Sequence, residues 1–303
     1  MSIGLISTFI APQRAAISLP VLTFKFVQRT FPIKGYWRVL LYTNGLFVAI
    51  ASGSTECVTS IDGINRKRRV LPLADNWQFG AAGNGIYTTF CSTSDVMLRS
   101  TDGLTWEQYV MPSSSHWTAG TFGGGLFAIV SLDNVVAVSS DGINWEQYDI
   151  VQDTGQPWSK ICWGNGVFVT IAAGTNAVAV STDCTVWTES TLPLAANWSS
   201  ICWGNGVFVA VDAGGTDTAV WSTDGITWVQ ATLPKIANWS VVSYGGGYFL
   251  ALAAGSLHAA SSVDGVVWQY HTTPVAGAWK RAVYGAGRMV ATTDGQVIAL
   301  TTM

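Results

Sequence analysis

The sequence predicts an all-β protein, a seven-bladed β-propeller with a short N-terminal arm, and three observations carry that prediction. Seven tryptophans, Trp37, Trp77, Trp117, Trp158, Trp198, Trp239 and Trp279, follow one another at intervals of 40 or 41 residues. Eight positions after each stands a glycine, from Gly45 in the first unit to Gly287 in the last, preceded by Asn in four copies. A second turn comes 24 to 26 residues after the first six tryptophans, at Asp62, Asp102, Asp141, Asp183, Asp224 and Asp264. Glycine follows each aspartate except Asp183, where Cys184 intervenes.

These marks divide every unit into four short strands. Asn-Gly between two apolar runs tolerates the positive φ angles of a two-residue type I′ turn, which joins the first strand to the second. The third and fourth strands meet at the Asp-Gly turn, and a Pro-containing link leads to the next unit. In the fifth unit the strands are expected at 198–203, 207–212, 218–223 and 227–232. Four strands in a period of about 40 residues, rich in Val, Ile, Phe and Trp, is the pattern of a propeller blade rather than of a helical solenoid. A closing tryptophan follows the aspartate by four residues in five units (Trp106, Trp145, Trp187, Trp228, Trp268), and Arg66 replaces it in the first. Ten positions after the opening tryptophan stand Phe47, Tyr87, Phe127, Phe168, Phe208, Phe249 and Met289. Large side chains in a fixed register are what blade-on-blade packing needs, so these are expected in the core. Cys162 and Cys202, at equivalent places in adjacent units, are expected there too.

The seventh unit stops after about three strands. Its missing strand stands at the other end of the chain. Phe26-Val-Gln-Arg-Thr-Phe-Pro precedes Trp37 by eleven residues, as Trp228-Val-Gln-Ala-Thr-Leu-Pro precedes Trp239. The N-terminal strand is therefore expected to complete the last blade and leave no open sheet edge at the seam. Residues 21–303 make the propeller on this division, and residues 1–20 an arm whose Leu5, Ile6, Phe9 and Ile10 need apolar cover from a partner.

Composition excludes several classes. The chain has 303 residues, 49% apolar and 11% charged, too apolar for a disordered chain and without a run of 18 apolar residues to cross a bilayer. A net charge of −3 argues against a nucleic-acid partner. No Lys or Arg precedes the apolar stretch 3–11, as a secretory signal would require. Five cysteines, an odd number, read as buried thiols rather than a disulfide framework.

The hairpin Ser-[Ser/Thr]-Asp-Gly-x-x-Trp, at 139–145 and 222–228, resembles the Asp-box of sialidase-type propellers, one residue shorter. Together with Asn-Gly-x-Phe-Val it is similar to propeller proteins of bacteriophage tails and virions. The resemblance covers residues 21–303. It implies a virion protein assembled in a bacterial cytoplasm, with other virion proteins as partners.

No catalytic, cofactor or metal motif accompanies the fold. The sialidase arginine motif is absent, and Arg38, Arg99, Arg281 and Arg288 are scattered without a spaced Tyr and Glu. The six aspartates lie on separate blades, where a short carboxylate bonding backbone N–H groups suffices to explain them. His116, His258 and His271 show no zinc spacing. Recognition would then reside in the loops between second and third strands, at 52–57, 92–96, 132–134, 174–176, 214–218 and 255–258, on the face opposite the Asn-Gly and Asp-Gly turns. One further segment stands out: Arg66, Lys67, Arg68 and Arg69 place four successive cations on the outer strand of blade one. The expected function is thus a non-enzymatic virion structural or binding component, docked by the arm and the basic run, with loops free to meet a host-surface glycan or protein. The alternative is a carbohydrate-binding or sialidase-like propeller acting on surface glycans.

Overall fold

The computed structural model describes residues 24–150, 157–295 and 298–302. Among them the chain forms seven four-stranded antiparallel sheets, six of them meanders in chain order. The seventh joins Trp279–Gly285, Arg288–Thr293 and Ile298–Thr302 to the N-terminal strand Phe26–Thr30, which pairs from Phe26 against Thr302 to Thr30 against Ile298. The seam closes as the sequence predicts. First strands of neighbouring blades pack side by side round the ring, blade seven against blade one included.

In the fifth blade the first two strands, Trp198–Gly204 and Val207–Asp212, follow the sequence reading, whereas the third and fourth, Thr216–Ser222 and Val229–Ala237, differ from it. Pro234 lies inside the outer strand rather than in a link. An outermost strand leaves one row of N–H groups unpaired, so a residue without an N–H fits there. The third strand starts two residues early because Gly215 takes φ +76° and closes the preceding turn tightly. Blades one and four behave alike, with outer strands Lys67–Asp75 and Thr188–Ala196.

The seven opening tryptophans are at most 1% exposed. Phe47, Tyr87, Phe127, Phe168, Phe208, Phe249 and Met289 are buried as well, so the expected core register holds. The pairing of first with second strands slips by one residue directly after every opening tryptophan, from Trp37/Val39 in blade one to Trp279/Arg281 in blade seven. Such a bulge bends the strand and re-aims the extra side chain. In three blades that side chain ties two blades together. Thr118, Ser199 and Ser240 donate to a carbonyl of their own second strand and to the opening tryptophan carbonyl of the next blade, at 2.9, 2.6 and 3.0 Å for Trp158, Trp239 and Trp279.

A second device locks the blades. Each first strand from blade two onward ends in glycine, and onto that glycine lies an aromatic ring of the next blade. Phe122 covers Gly83, Trp163 Gly123, Trp203 Gly164, Tyr244 Gly204, Tyr284 Gly245 and Tyr42 Gly285. A Cβ at Gly285 would stand 2.5 Å from Tyr42 Cδ2, and one at the other five would lie deeper inside the ring. The remaining interface, blade one to blade two, has Thr43 and Ala82 at these places, a larger residue opposite a smaller one.

The Asp hairpins repeat one geometry. Asp141 Oδ1 accepts the N–H groups of Ile143 and Asn144, each at 2.8 Å, while Ser139 Oγ donates to the same oxygen and accepts from Asp141 and Gly142. The N–H groups of Asn144 and Ile143 hold this carboxyl far below the ordinary carboxylate range. The following glycine has positive φ and packs on the second strand of the preceding blade: a Cβ at Gly225 would meet Val169 Cγ2 at 2.6 Å. Cys184 occupies this place in blade four at φ +66°, fully buried. The residue facing the glycine is Val290, Val48, Thr88, Val169 or Val209 in the other blades, but for Cys184 the equivalent position is Ala128, in the same core cluster. The small residue makes room for the thiol. Ala128→Val alone should therefore cost about 1–3 kcal/mol by overpacking. With Cys184→Gly in place the same change should cost little, a coupling of about 1–2 kcal/mol in urea unfolding. Additive effects would refute the pairing.

Candidate functional site: the central channel and the seam

The first strands surround a cavity of about 370 Å³ on the ring axis. Two positions after the opening tryptophans stand Val39, Phe79, Ala119, Lys160, Ser200, Val241 and Arg281, so at this register cations come from blades four and seven only. The bulged residues add Arg38 and Lys280. Among the described residues, no Asp, Glu or His lines the cavity. Asp294, in the turn after the second strand of blade seven, pairs with Arg38 at 3.0 Å and lies 3.7 Å from Lys280. Arg38 also donates to Gln78 Oε1, and Gln78 in turn donates to Asn76 and Ser52.

Lys160 and Arg281 are placed differently. Lys160 Nζ donates to the carbonyl of Ser159 at 2.9 Å. Arg281 donates to the carbonyls of Lys280 at 3.0 Å and, beyond blade one, of Gln78 at 3.2 Å. Among the described residues neither has a carboxylate within 4.0 Å. Burial, then the charges of Arg281 and Lys280, push the Lys160 ammonium down to about 8. Burial, then Arg38, pushes Arg281 down to about 10. Removing a cation from water without a counter-charge disfavours its charged form.

The residues singled out by the sequence fall elsewhere. Leu5, Ile6, Phe9 and Ile10 lie outside the described residues. The basic run separates. Arg66 turns inward, donates to the Gly63 carbonyl at 2.9 Å and stands over the Phe31 ring at 5.0 Å. It thereby replaces the indole N–H that Trp228 and Trp268 give to the carbonyls of Gly225 and Gly265. Burial, then Arg29 of the N-terminal strand, lowers Arg66 to about 10. Arg68 is exposed and forms a bidentate pair with Glu56, Lys67 is exposed, and Arg69 is half-buried. The seam thus brings the N-terminal strand and the basic run together through Phe31, Arg29 and Arg66. At the strand's other side Phe24 packs edge-on against Tyr248 and His271 of blade six, with centroids at 4.4 and 4.8 Å.

The six hairpin aspartates stay apart, each on its own turn. His116 meets Asp133 at 3.1 Å on an exposed edge, His258 meets Tyr270, and His271 meets Ser261. The loops expected at 52–57 and 214–218 are shorter than the sequence suggested, because Gly53 and Gly215, at positive φ, let the third strands begin at Ser54 and Thr216. Sequence reasoning missed Lys160. Its signal was a cation at a register position that holds Val39, Phe79, Ala119, Ser200 and Val241 in other blades.

No known protein-family model and no curated protein sequence matches the chain. Solved structures do resemble it. Virginiamycin B lyase from Staphylococcus aureus superposes with a TM-score of 0.82 at 14% identity, over 93% of this chain and 100% of that one. A YCF48 structure bound to D1 peptide gives 0.72 at 14% identity, over 94% and 99%. YCF48 from Cyanidioschyzon merolae gives 0.71 at 14%, over 91% and 98%. At such identities the likeness shows the fold, a seven-bladed β-propeller, and the fold hosts many functions.

Proposed function

We propose that this chain is a non-enzymatic structural and binding component of a bacteriophage virion, fixed to its neighbours by its N-terminal arm, residues 1–20. The observation that supports this reading most directly is the position of the N-terminal strand. It is the outermost strand of blade seven, so the chain enters the ring at its rim, where Phe24 packs against Tyr248 and His271 of blade six. A segment arriving there can reach a neighbouring protein without disturbing the ring. The Ser-x-Asp-Gly-x-x-Trp hairpins supply the resemblance to virion propellers, and among the described residues the axial cavity is lined by no carboxylate or imidazole.

The test compares the full chain with one lacking residues 1–20 during particle assembly in the producing cell. The truncated chain should fold, with unchanged tryptophan fluorescence, and be absent from purified particles. Its incorporation at the level of the full chain would overturn docking by this segment. Hydrolysis of a fluorogenic sialoside, or turnover of virginiamycin B, by the purified full chain would overturn the non-enzymatic reading.

A further inference from the structure

We propose that the central channel binds a small multivalent oxyanion, carrying carboxylate or phosphate groups, between Lys160 of blade four and Arg281 of blade seven. The inference rests on where charge is and is not balanced. Of the three cations lining the cavity, Lys280 lies near Asp294, which also pairs with Arg38, while among the described residues Lys160 and Arg281 donate only to main-chain carbonyls. A carbonyl satisfies a donor's geometry but leaves a full positive charge uncompensated. The chain as a whole carries −3, so this positive interior runs against its average. Nothing in the packing demands it: blades one, two, three and six put Val39, Phe79, Ala119 and Val241 at the same register. Apolar side chains there would pack at no electrostatic cost.

The shape of the cavity selects the ligand. About 370 Å³ holds a compact organic or phosphate anion and is too small for a folded partner. Thr121 and Ser243 add hydroxyls to its wall, whereas Ser199, Ser200 and Ser240 are already committed to main-chain groups of neighbouring blades. Selectivity would therefore come from two cations that enter one cavity from blades four and seven, which favours an anion with more than one charged group over a monovalent one. A guanidinium and an ammonium at one cavity suit either a carboxylate pair or a pyrophosphate.

Calorimetric titration of the full chain with citrate, succinate, pyrophosphate and inorganic phosphate, against sodium chloride of equal ionic strength, tests this. At least one multivalent anion should bind at one site with a Kd below about 1 mM and raise the thermal midpoint. The citrate and pyrophosphate arms separate a carboxylate ligand from a phosphate one. Lys160→Met and Arg281→Met should each weaken binding at least about tenfold. Arg281→Lys should retain most of it, and Lys67→Ala, on the outer rim, should leave it unchanged. If either methionine variant fails to fold, Lys160→Gln and Arg281→Gln, checked by near-UV circular dichroism, take its place. Failure of all four anions to bind saturably at about 10 mM would overturn the proposal, as would undiminished binding by a folded double variant.

Discussion

A chain lacking residues 1–30 is expected to lose the cooperative unfolding of the full chain, or to unfold at a far lower urea concentration and aggregate. Five ladder positions from Phe26 to Thr30 would vanish, and Ile298–Thr302 would become a bare edge strand. Phe24 and Phe26 would also leave the flank of blade six that they share with His271. Lost ladder bonds at about 1 kcal/mol each, together with the uncovered aromatic surface, approach the 5–15 kcal/mol that holds a typical domain together. Two controls isolate the cause. Deletion of residues 1–20 should leave the urea midpoint where it is. A circular permutant carrying residues 24–35 after residue 303 should restore it, because Phe26 already lies opposite Thr302 and a short connection suffices. Tryptophan fluorescence and sedimentation read both outcomes, and a wild-type midpoint for the chain lacking residues 1–30 would mean that the seventh sheet does not depend on its fourth strand.

The second large effect concerns the glycines under the aromatic rings. Gly164→Ala would push a methyl group into the indole of Trp203. Both groups sit on packed first strands, so the clash should cost about 3 kcal/mol or more. Trp203→Ala alone should cost a similar amount by leaving a void. Combined, the two changes should cost far less than their sum, because the methyl group then enters the space the ring vacates. A double-mutant cycle in urea measures this coupling, expected at about 2 kcal/mol or more. A Gly164→Ala protein as stable as the parent would refute the lock.

Much of this architecture was legible because it repeats. The spacing of Trp37 to Trp279 shows the blade count, and the kinship of 26–32 with 228–234 shows how the ring closes. Cys184 stood out as the one departure from glycine, although its accommodation by Ala128 depends on a residue of the preceding blade, 56 positions away. The aromatic lock was less legible: Trp163 and Trp203 are plain in the sequence, yet the glycines that receive them belong to the neighbouring unit. Lys160 and Arg281 were harder still. They lie 121 positions apart, and only the cyclic arrangement of blades brings two isolated cations to the lining of one cavity. The basic run shows the opposite failure. Four adjacent charges read as one patch, but Arg66, at the end of the Asp-Gly turn, folds inward to take a tryptophan's place, while Lys67 and Arg68 at the start of the outer strand stay exposed.

The mixed parentage of the seventh sheet also bears on how the molecule is made. Its outer strand leaves the ribosome before its other three, with about 270 residues between it and the third. While six complete blades accumulate behind it, Phe26–Thr30 has no hydrogen-bonding mate. A nascent chain in that state exposes an unpaired β-segment, so either a chaperone or its own assembly neighbour must shield it until Ile298–Thr302 emerges.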